Sequence, residues 1–245
     1  MIEVEQLYKS FGTTVAVRDL SFSARDGQIT GLLGPNGAGK TTTLRMLYTL
    51  LRPDRGSIRV DGIDAVVEPR SARRRLGVLP DARGLYQRLS ARENMEYFAR
   101  LQGLNAEQAR SRTARLLDGL GMQPLAERRV AGFSQGERVK TAIARALVHD
   151  PRNLLLDEPG NGLDVMATRG LRELLRALAA EGRCVLFSTH LMQEVAALCD
   201  RIVIIAAGRV VADGAPQELR ALASEQSLEE AFVKIIGAAA LDVLE

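Results

Sequence analysis

The sequence predicts an α/β fold, a mostly parallel sheet with helices on both faces, into which a helical block is inserted. Three observations predict it. Short, almost purely apolar runs at 154–156, 184–187 and 202–205 are separated by helix-length segments, as strands buried on both faces of a parallel sheet read. An earlier run at 28–33 ends in a glycine-rich turn and passes into a helical pattern. From about residue 82 to 150 strand signals stop and periodic helical segments take over.

Taken in order, residues 2–33 alternate apolar runs with turns such as Arg25-Asp26-Gly27, which predicts several strands. A helix over 39–50 should be stopped by Pro53 and the turn at 54–56. Short strands are expected at 57–60 and 76–79, then helices near 90–102, 106–120 and 135–149, broken by Gly103, Gly121 and Pro124. Strands return after Pro151, and a helix near 227–236 leads into a loose tail. The boundaries are one domain over 1–245, with a sheet core from 1–81 and 151–220, a helical subdomain from 82–150 and a C-terminal helix and tail from 221–245.

The 245 residues, 46% of them hydrophobic and 26% charged, suffice for a sizeable core. The longest purely apolar stretch, 202–207, is far short of the ~20 residues a membrane span needs. The start MIEVEQLYKSFG lacks a basic segment followed by an apolar block, so a cytosolic location is expected. The net charge of +3 is weak, although Arg73, Arg74 and Arg75 cluster. No Trp and few other aromatics leave little for base stacking, so no nucleic-acid partner is expected. Cys184 and Cys199 have neither metal-ligand nor redox spacing and read as reduced core thiols.

The chemistry concentrates in a few places. Gly34-Pro35-Asn36-Gly37-Ala38-Gly39-Lys40-Thr41 matches the phosphate-binding loop pattern between a strand and a helix, and Thr42 continues that helix start. Its glycines let successive N–H groups turn toward phosphate oxygens, backed by the helix N-terminus. Lys40 can reach β- and γ-phosphates, and the Thr41 hydroxyl can ligate Mg²⁺. The strand 153–157 ends in Asp157 and Glu158, which should face the loop at the carboxyl edge of the sheet. Asp157 suits Mg²⁺ and Glu158 suits an attacking water. Between them, Phe133-Ser134-Gln135-Gly136-Glu137 forms a helix start with a Ser134/Glu137 capping box, and Gly136 strips it so that a second phosphate contact becomes possible.

In this order, the phosphate loop, helical block, FSQGE, LLLDEP, Asn161-Gly162-Leu163-Asp164 and Ser188-Thr189-His190 make the chain resemble the ATP-binding subunit of an ABC transporter over nearly its whole length. The resemblance implies a P-loop ATPase of the ABC type with an N-terminal antiparallel β subdomain. It implies ATP and Mg²⁺, and two subunits sandwiching ATP head to tail. Ser134 and Gly136 would then act on the partner's γ-phosphate, and Asp164 would cross the interface. It implies that His190 contacts the γ-phosphate and helps hold Glu158, that Phe11 stacks on adenine, and that Val17 packs beside the base. It implies a separate transmembrane permease, docked around residues 81–100, and a peripheral place on the cytoplasmic side of the cell membrane.

Three departures from that pattern stand out. Asp81 occupies the position of a Gln, where its oxygens can still serve Mg²⁺ or a metal water. Gln135 and Glu137 replace Gly and Gln, the latter placing a negative charge near the partner's ATP. Gly160 replaces a Thr, which should only loosen a turn. The stretches 78–86, 133–136 and 228–232 resemble export-type subunits, sodium-extrusion ones above all, with drug, lipid or polysaccharide export also open. The competing readings are a soluble ABC-type ATPase acting on ribosomes or DNA, which would call for paired modules or long coiled coils, and a small-molecule kinase, which would leave FSQGE and Asp164 without a role.

Overall fold

The computed structural model describes residues 1–81 and 84–241, so Ala82, Arg83 and the tail at 242–245 lie outside the described residues. Two sheets form its frame. The first is antiparallel, built from β1 (Ile2–Phe11), β2 (Thr14–Ala24), β4 (Arg55–Val60) and the two-residue β5 (Ile63–Asp64), in the order β2-β1-β4-β5. The second joins β3 (Ile29–Leu33), β6 (Leu76–Leu79), β7 (Asn153–Asp157), β8 (Cys184–Thr189), β9 (Arg201–Ala206) and β10 (Arg209–Gly214) in the order β10-β9-β3-β8-β7-β6. All its pairs are parallel except β9 with β10, an edge hairpin. The sequence reading missed that hairpin: β10 is short and half exposed, and its turn lies in Ala207 and Gly208, both at positive φ, the hairpin-turn conformation.

Residues alternate between two cores along each central strand. Leu32, Leu155, Leu186 and Val203 point into a core shared with the antiparallel sheet and with α1 (Lys40–Leu47). Leu33, Leu154, Phe187 and Ile204 point to the opposite face, onto α5 (Gln135–Ala146), α6 (Val165–Ala180) and α7 (Met192–Leu198). Both faces are covered, so the strands read as unbroken apolar runs. α7 lies close on β3: a Cβ on Gly31 would meet Cys199 Sγ at 2.7 Å and Val195 Cγ1 at 2.8 Å. Both cysteines are free and buried, and burial pushes the Cys184 thiol up to about 12.

The short α2 (Pro69–Arg73) precedes β6, and between β6 and β7 the chain is helical: α3 (Ala91–Leu101), α4 (Ala106–Gly119) and α5. Ser90 and Asn105 begin α3 and α4 with capping boxes. Met95, Ala99, Leu117, Met122 and Val148 give these helices a small core of their own. α1 is shorter than its predicted helix because Thr49 turns to positive φ. At the other end α8 (Pro216–Ala223) and α9 (Leu228–Leu241) close the chain, α9 running further than expected.

Phe187 is the largest fully buried side chain, at the centre of β8. Phe187→Ala should destabilise the fold by about 3–5 kcal/mol. The check is a urea titration: the midpoint should fall at unchanged slope, and an unaltered midpoint would contradict this account of the core.

Candidate active site

The glycine-rich loop leaves β3 at Leu33 and enters α1 at Lys40. Gly39 sits at φ +103°, and a Cβ there would meet the Ala16 carbonyl oxygen at 2.6 Å, so only glycine fits. No side chain caps α1 and no acid stands in its first turn, which leaves its N–H groups facing the loop. Lys40 is buried and folded back, its Nζ donating to the Gly34 carbonyl at 2.8 Å and the Pro35 carbonyl at 3.1 Å. Burial lowers its pKa, and the charges of Glu158 and Asp157 oppose that shift.

Opposite the loop, β7 ends in the two acids. Asp157 Oδ1 accepts from Ser188 Oγ at 2.6 Å and from Thr41 Oγ1 at 3.2 Å. Its Oδ2 is buried with no hydrogen-bond partner among the described residues. Burial holds the Asp157 pKa up against those two bonds, helped by the neighbouring charges of Asp81 and Glu158. Glu158 turns sharply at φ +48°, which swings its carboxylate over the loop. One oxygen lies 3.8 Å from Lys40 Nζ and the other 2.9 Å from His190 Nδ1. Asp81 follows β6 on the same edge and is exposed.

Ser188 links the two acids, donating to Asp157 and accepting the Glu158 N–H at 3.0 Å. The sequence marked it only as part of Ser-Thr-His. Its bridging role depends on β8 pairing with β7, where Asp157 and Ser188 are direct partners. Thr189 Oγ1 in turn donates to Glu194 Oε2 at 2.5 Å. The other Glu194 oxygen lies only 1.8 Å from where a Cβ on Gly160 would stand. Gly160 therefore makes room for a carboxylate beneath the turn, which corrects the expectation of a merely looser turn.

The remaining predicted residues lie elsewhere. Ser134 caps α5, its Oγ accepting the Glu137 N–H, and Asp164 caps α6, accepting the Ala167 N–H at 2.8 Å. Among the described residues no hydrogen bond or ion pair joins Ser134, Gly136 or Asp164 to the phosphate loop. A Cβ on Gly136 would meet Ala167 Cβ at 2.8 Å, so this glycine also lets α5 and α6 start side by side. Glu137 folds back onto the Ser134 N–H at 2.8 Å and pairs with Arg128 at 2.9 Å, and these partners hold its pKa down. The charge expected near a partner's ATP is thus compensated within its own chain. Phe11 is half exposed beside the β1–β2 turn, with Lys9 Nζ 5.7 Å from its ring. Val17 does not share that exposure. It is wholly buried among core residues, a correction to its expected place beside a base.

A cation fits this arrangement. Asp157 offers an unpartnered buried oxygen next to the Thr41 hydroxyl, a hard oxygen pair of the kind Mg²⁺ uses. No group of three or more His, Cys, Asp or Glu side chains forms a metal cage among the described residues.

Known proteins resemble this chain in sequence and in fold. The model of the family described as ABC transporter matches residues 17–161. The chain is 46% identical to the ABC transporter ATP-binding protein NatA of Bacillus subtilis (strain 168), over 89% of both chains. It is 43% identical to the Nod factor export ATP-binding protein I of Burkholderia orbicola (strain AU 1054), over 89% of this chain and 72% of the relative. Among solved structures it resembles an ATP-binding subunit of an ABC transporter with TM-score 0.86 and 30% identity, covering 96% and 99% of the two chains. It also resembles a dimeric ATP-binding cassette in a post-hydrolysis state bound to ADP and Pi, with TM-score 0.78 and 26% identity over 88% and 98%. These similarities lend nothing to the ribosome or DNA reading.

Because burial raises the Asp157 pKa, its ionised form costs stability above the ordinary carboxylate range, and stability returns as pH falls through the raised value. Asp157→Asn should remove that slope and raise the Tm of nucleotide- and Mg²⁺-free protein at pH 7. Scanning calorimetry of both proteins from the ordinary carboxylate range up to neutral pH checks this; equal Tm values throughout would show that the carboxylate carries no strain.

Proposed function

This chain belongs to the ABC transporter family as an ATP-hydrolysing, ATP-binding subunit, and from that premise we propose that two copies close around two ATP molecules to drive a separate transmembrane exporter. The observation that carries the reading is the convergence of Lys40, Asp157, Glu158 and His190 at one edge of the sheet.

In this reading the triphosphate lies on the N–H groups of 34–42. Lys40 has three donors, two of them on loop carbonyls. The third, with the charge, meets the β- and γ-phosphates. Thr41 and Asp157, with Asp81 nearby, would hold Mg²⁺, which supplies charge neutralisation between β- and γ-phosphate oxygens. Glu158 orients the attacking water and takes its proton. The His190 contact fixes that carboxylate, and its exposed ring can turn a nitrogen to the γ-phosphate. Phe11 offers an open face to the adenine.

The second copy completes each site. Ser134 and the stripped helix start at Gly136 face the other copy's γ-phosphate, while Asp164 borders it. Val165 and Met166 follow directly and are strongly exposed, 84% and 73%, as suits apolar residues that a second copy covers. No helix among the described residues is long and apolar enough to cross a membrane. In this reading the permease is a separate chain and this subunit sits on its cytoplasmic face. Relatives named Nod factor export ATP-binding protein support an export direction, and the resemblance of 78–86, 133–136 and 228–232 to sodium-extrusion subunits keeps sodium among the candidate cargoes.

Glu158→Gln should keep ATP binding, lose turnover by about 10²–10⁴-fold, and accumulate as an ATP-dependent dimer in light scattering. Hydrolysis at the wild-type rate would remove Glu158 from the mechanism. Lys40→Ala and Ser134→Arg should each be inactive alone. Mixed together they should recover hydrolysis, because a head-to-tail pair collects both lesions in one site and leaves the other whole. With heterodimers demonstrated by two tags, an inactive mixture would count against the shared site.

A further inference from the structure

Glu194 touches both of the turns that carry Glu158 and His190. It lies in the first turn of α7, whose N-cap is Leu191. Its Oε2 accepts from Thr189 Oγ1 at 2.5 Å, and Thr189 Oγ1 in turn accepts the Leu191 N–H at 3.1 Å. The residues on either side of His190 are therefore tied, in series, to one carboxylate. In an ordinary capping box an acid at this helix position takes the N-cap N–H directly. Here the Thr189 hydroxyl stands between them. Thr189 is wholly buried, so its hydroxyl depends on an acceptor from the protein.

The same side chain reaches the neighbouring turn. Gly160 is buried two residues after Glu158, and Glu194 Oε1 lies 1.8 Å from where its Cβ would stand, with Cδ at 2.8 Å. The φ of Gly160 is outside the left-handed region, so its backbone would accept a side chain. What a side chain there would displace is the Glu194 carboxylate. The turn is closed by the Asn161 N–H on the Glu158 carbonyl at 3.2 Å and the Leu163 N–H on the Gly160 carbonyl at 3.1 Å, which joins Glu158 and Gly160 into one unit. His190 has 38% of its side chain exposed, so packing gives its ring little direction. The backbone that carries it decides whether Nδ1 stays 2.9 Å from Glu158.

We infer that Glu194 is a positioning residue for ATP hydrolysis, a strut between the Glu158 turn and the His190 turn that keeps the two side chains at contact distance. The inference rests on the reading of Glu158 and His190 as the groups that handle the attacking water, and it adds the residue that sets their relation. The role requires an acceptor of the right length. It does not require negative charge, because the group bound is a neutral hydroxyl. A purely local role, in which an acid favours the N-terminus of α7 through its charge, would be lost in Glu194→Gln and would not extend to Gly160.

The chain has two histidines, His149 and His190, so selective ¹³C labelling of histidine gives two ring signals, assigned by the loss of one in His190→Gln. In the nucleotide-free full-length protein, Glu194→Gln should leave both signals in place, and its kcat should stay within about threefold of wild type. Glu194→Ala should move the His190 signal alone and lower kcat by about 10–10²-fold at a nearly unchanged KM for ATP. Gly160→Ala pushes the carboxylate aside without removing it and should do the same, which keeps the test decisive if Glu194→Ala unfolds the protein. Added to Glu194→Ala, it should lower kcat by less than about twofold more, because the space is then empty. An unmoved His190 signal in Glu194→Ala or Gly160→Ala, both histidine signals moving together, Glu194→Gln as impaired as Glu194→Ala, or additive losses in the double variant would each overturn the inference. Failure of the wild-type chain to hydrolyse ATP is a separate measurement and would overturn the transporter reading itself, whereas the histidine signals are read without nucleotide.

Discussion

The register of three parallel strands sets everything else. β3, β8 and β7 lie side by side with Leu33 opposite Thr189 and Asp157 opposite Ser188. All three strands therefore end at one height, and the loop, the two acids and the histidine that follow them emerge together. A slip of one residue would send Phe187 and Leu154 to the wrong core and would separate Ser188 from Asp157. Packing on both faces, rather than any bond within the site, is what makes that slip too costly to occur.

Within the site, like and unlike charges are held in an arrangement that is poor for the resting protein. Asp157 keeps an unpartnered buried oxygen, and Lys40 spends its donors on loop carbonyls beside Glu158. Each group has capacity that nucleotide and cation would use. Glu158 at positive φ belongs to the same pattern, a local backbone cost tolerated where it aims a functional group. The glycines at 31, 39 and 136 serve it in a different way, each yielding volume to a closely packed neighbour, and Gly160 leaves room for the Glu194 carboxylate.

Much of this was legible in the chain itself. The loop 34–42 is a local structure whose glycines act through their own backbone and whose Lys40 side chain folds back onto that same loop, so its pattern survives in the sequence. The capping box at Ser134 and Glu137 is equally local, three residues apart. What could not be read are contacts that pair distant residues. Ser188 as the bridge between acids depends on strand pairing, Glu194 filling the space over Gly160 depends on how α7 lies, and the Arg128 partner of Glu137 comes from a preceding loop. Val17 was misjudged for the same reason, since burial is a property of what covers a residue.

The sequence by itself thus determined the class of fold, most of its elements and a loop of the phosphate-binding pattern, because periodicity, turn chemistry and a contiguous loop are properties of neighbouring residues. The tertiary structure alone decided the pKa shifts and the unpaired Asp157 oxygen, because desolvation and the presence or absence of a counter-charge arise only when segments far apart in the chain are packed together.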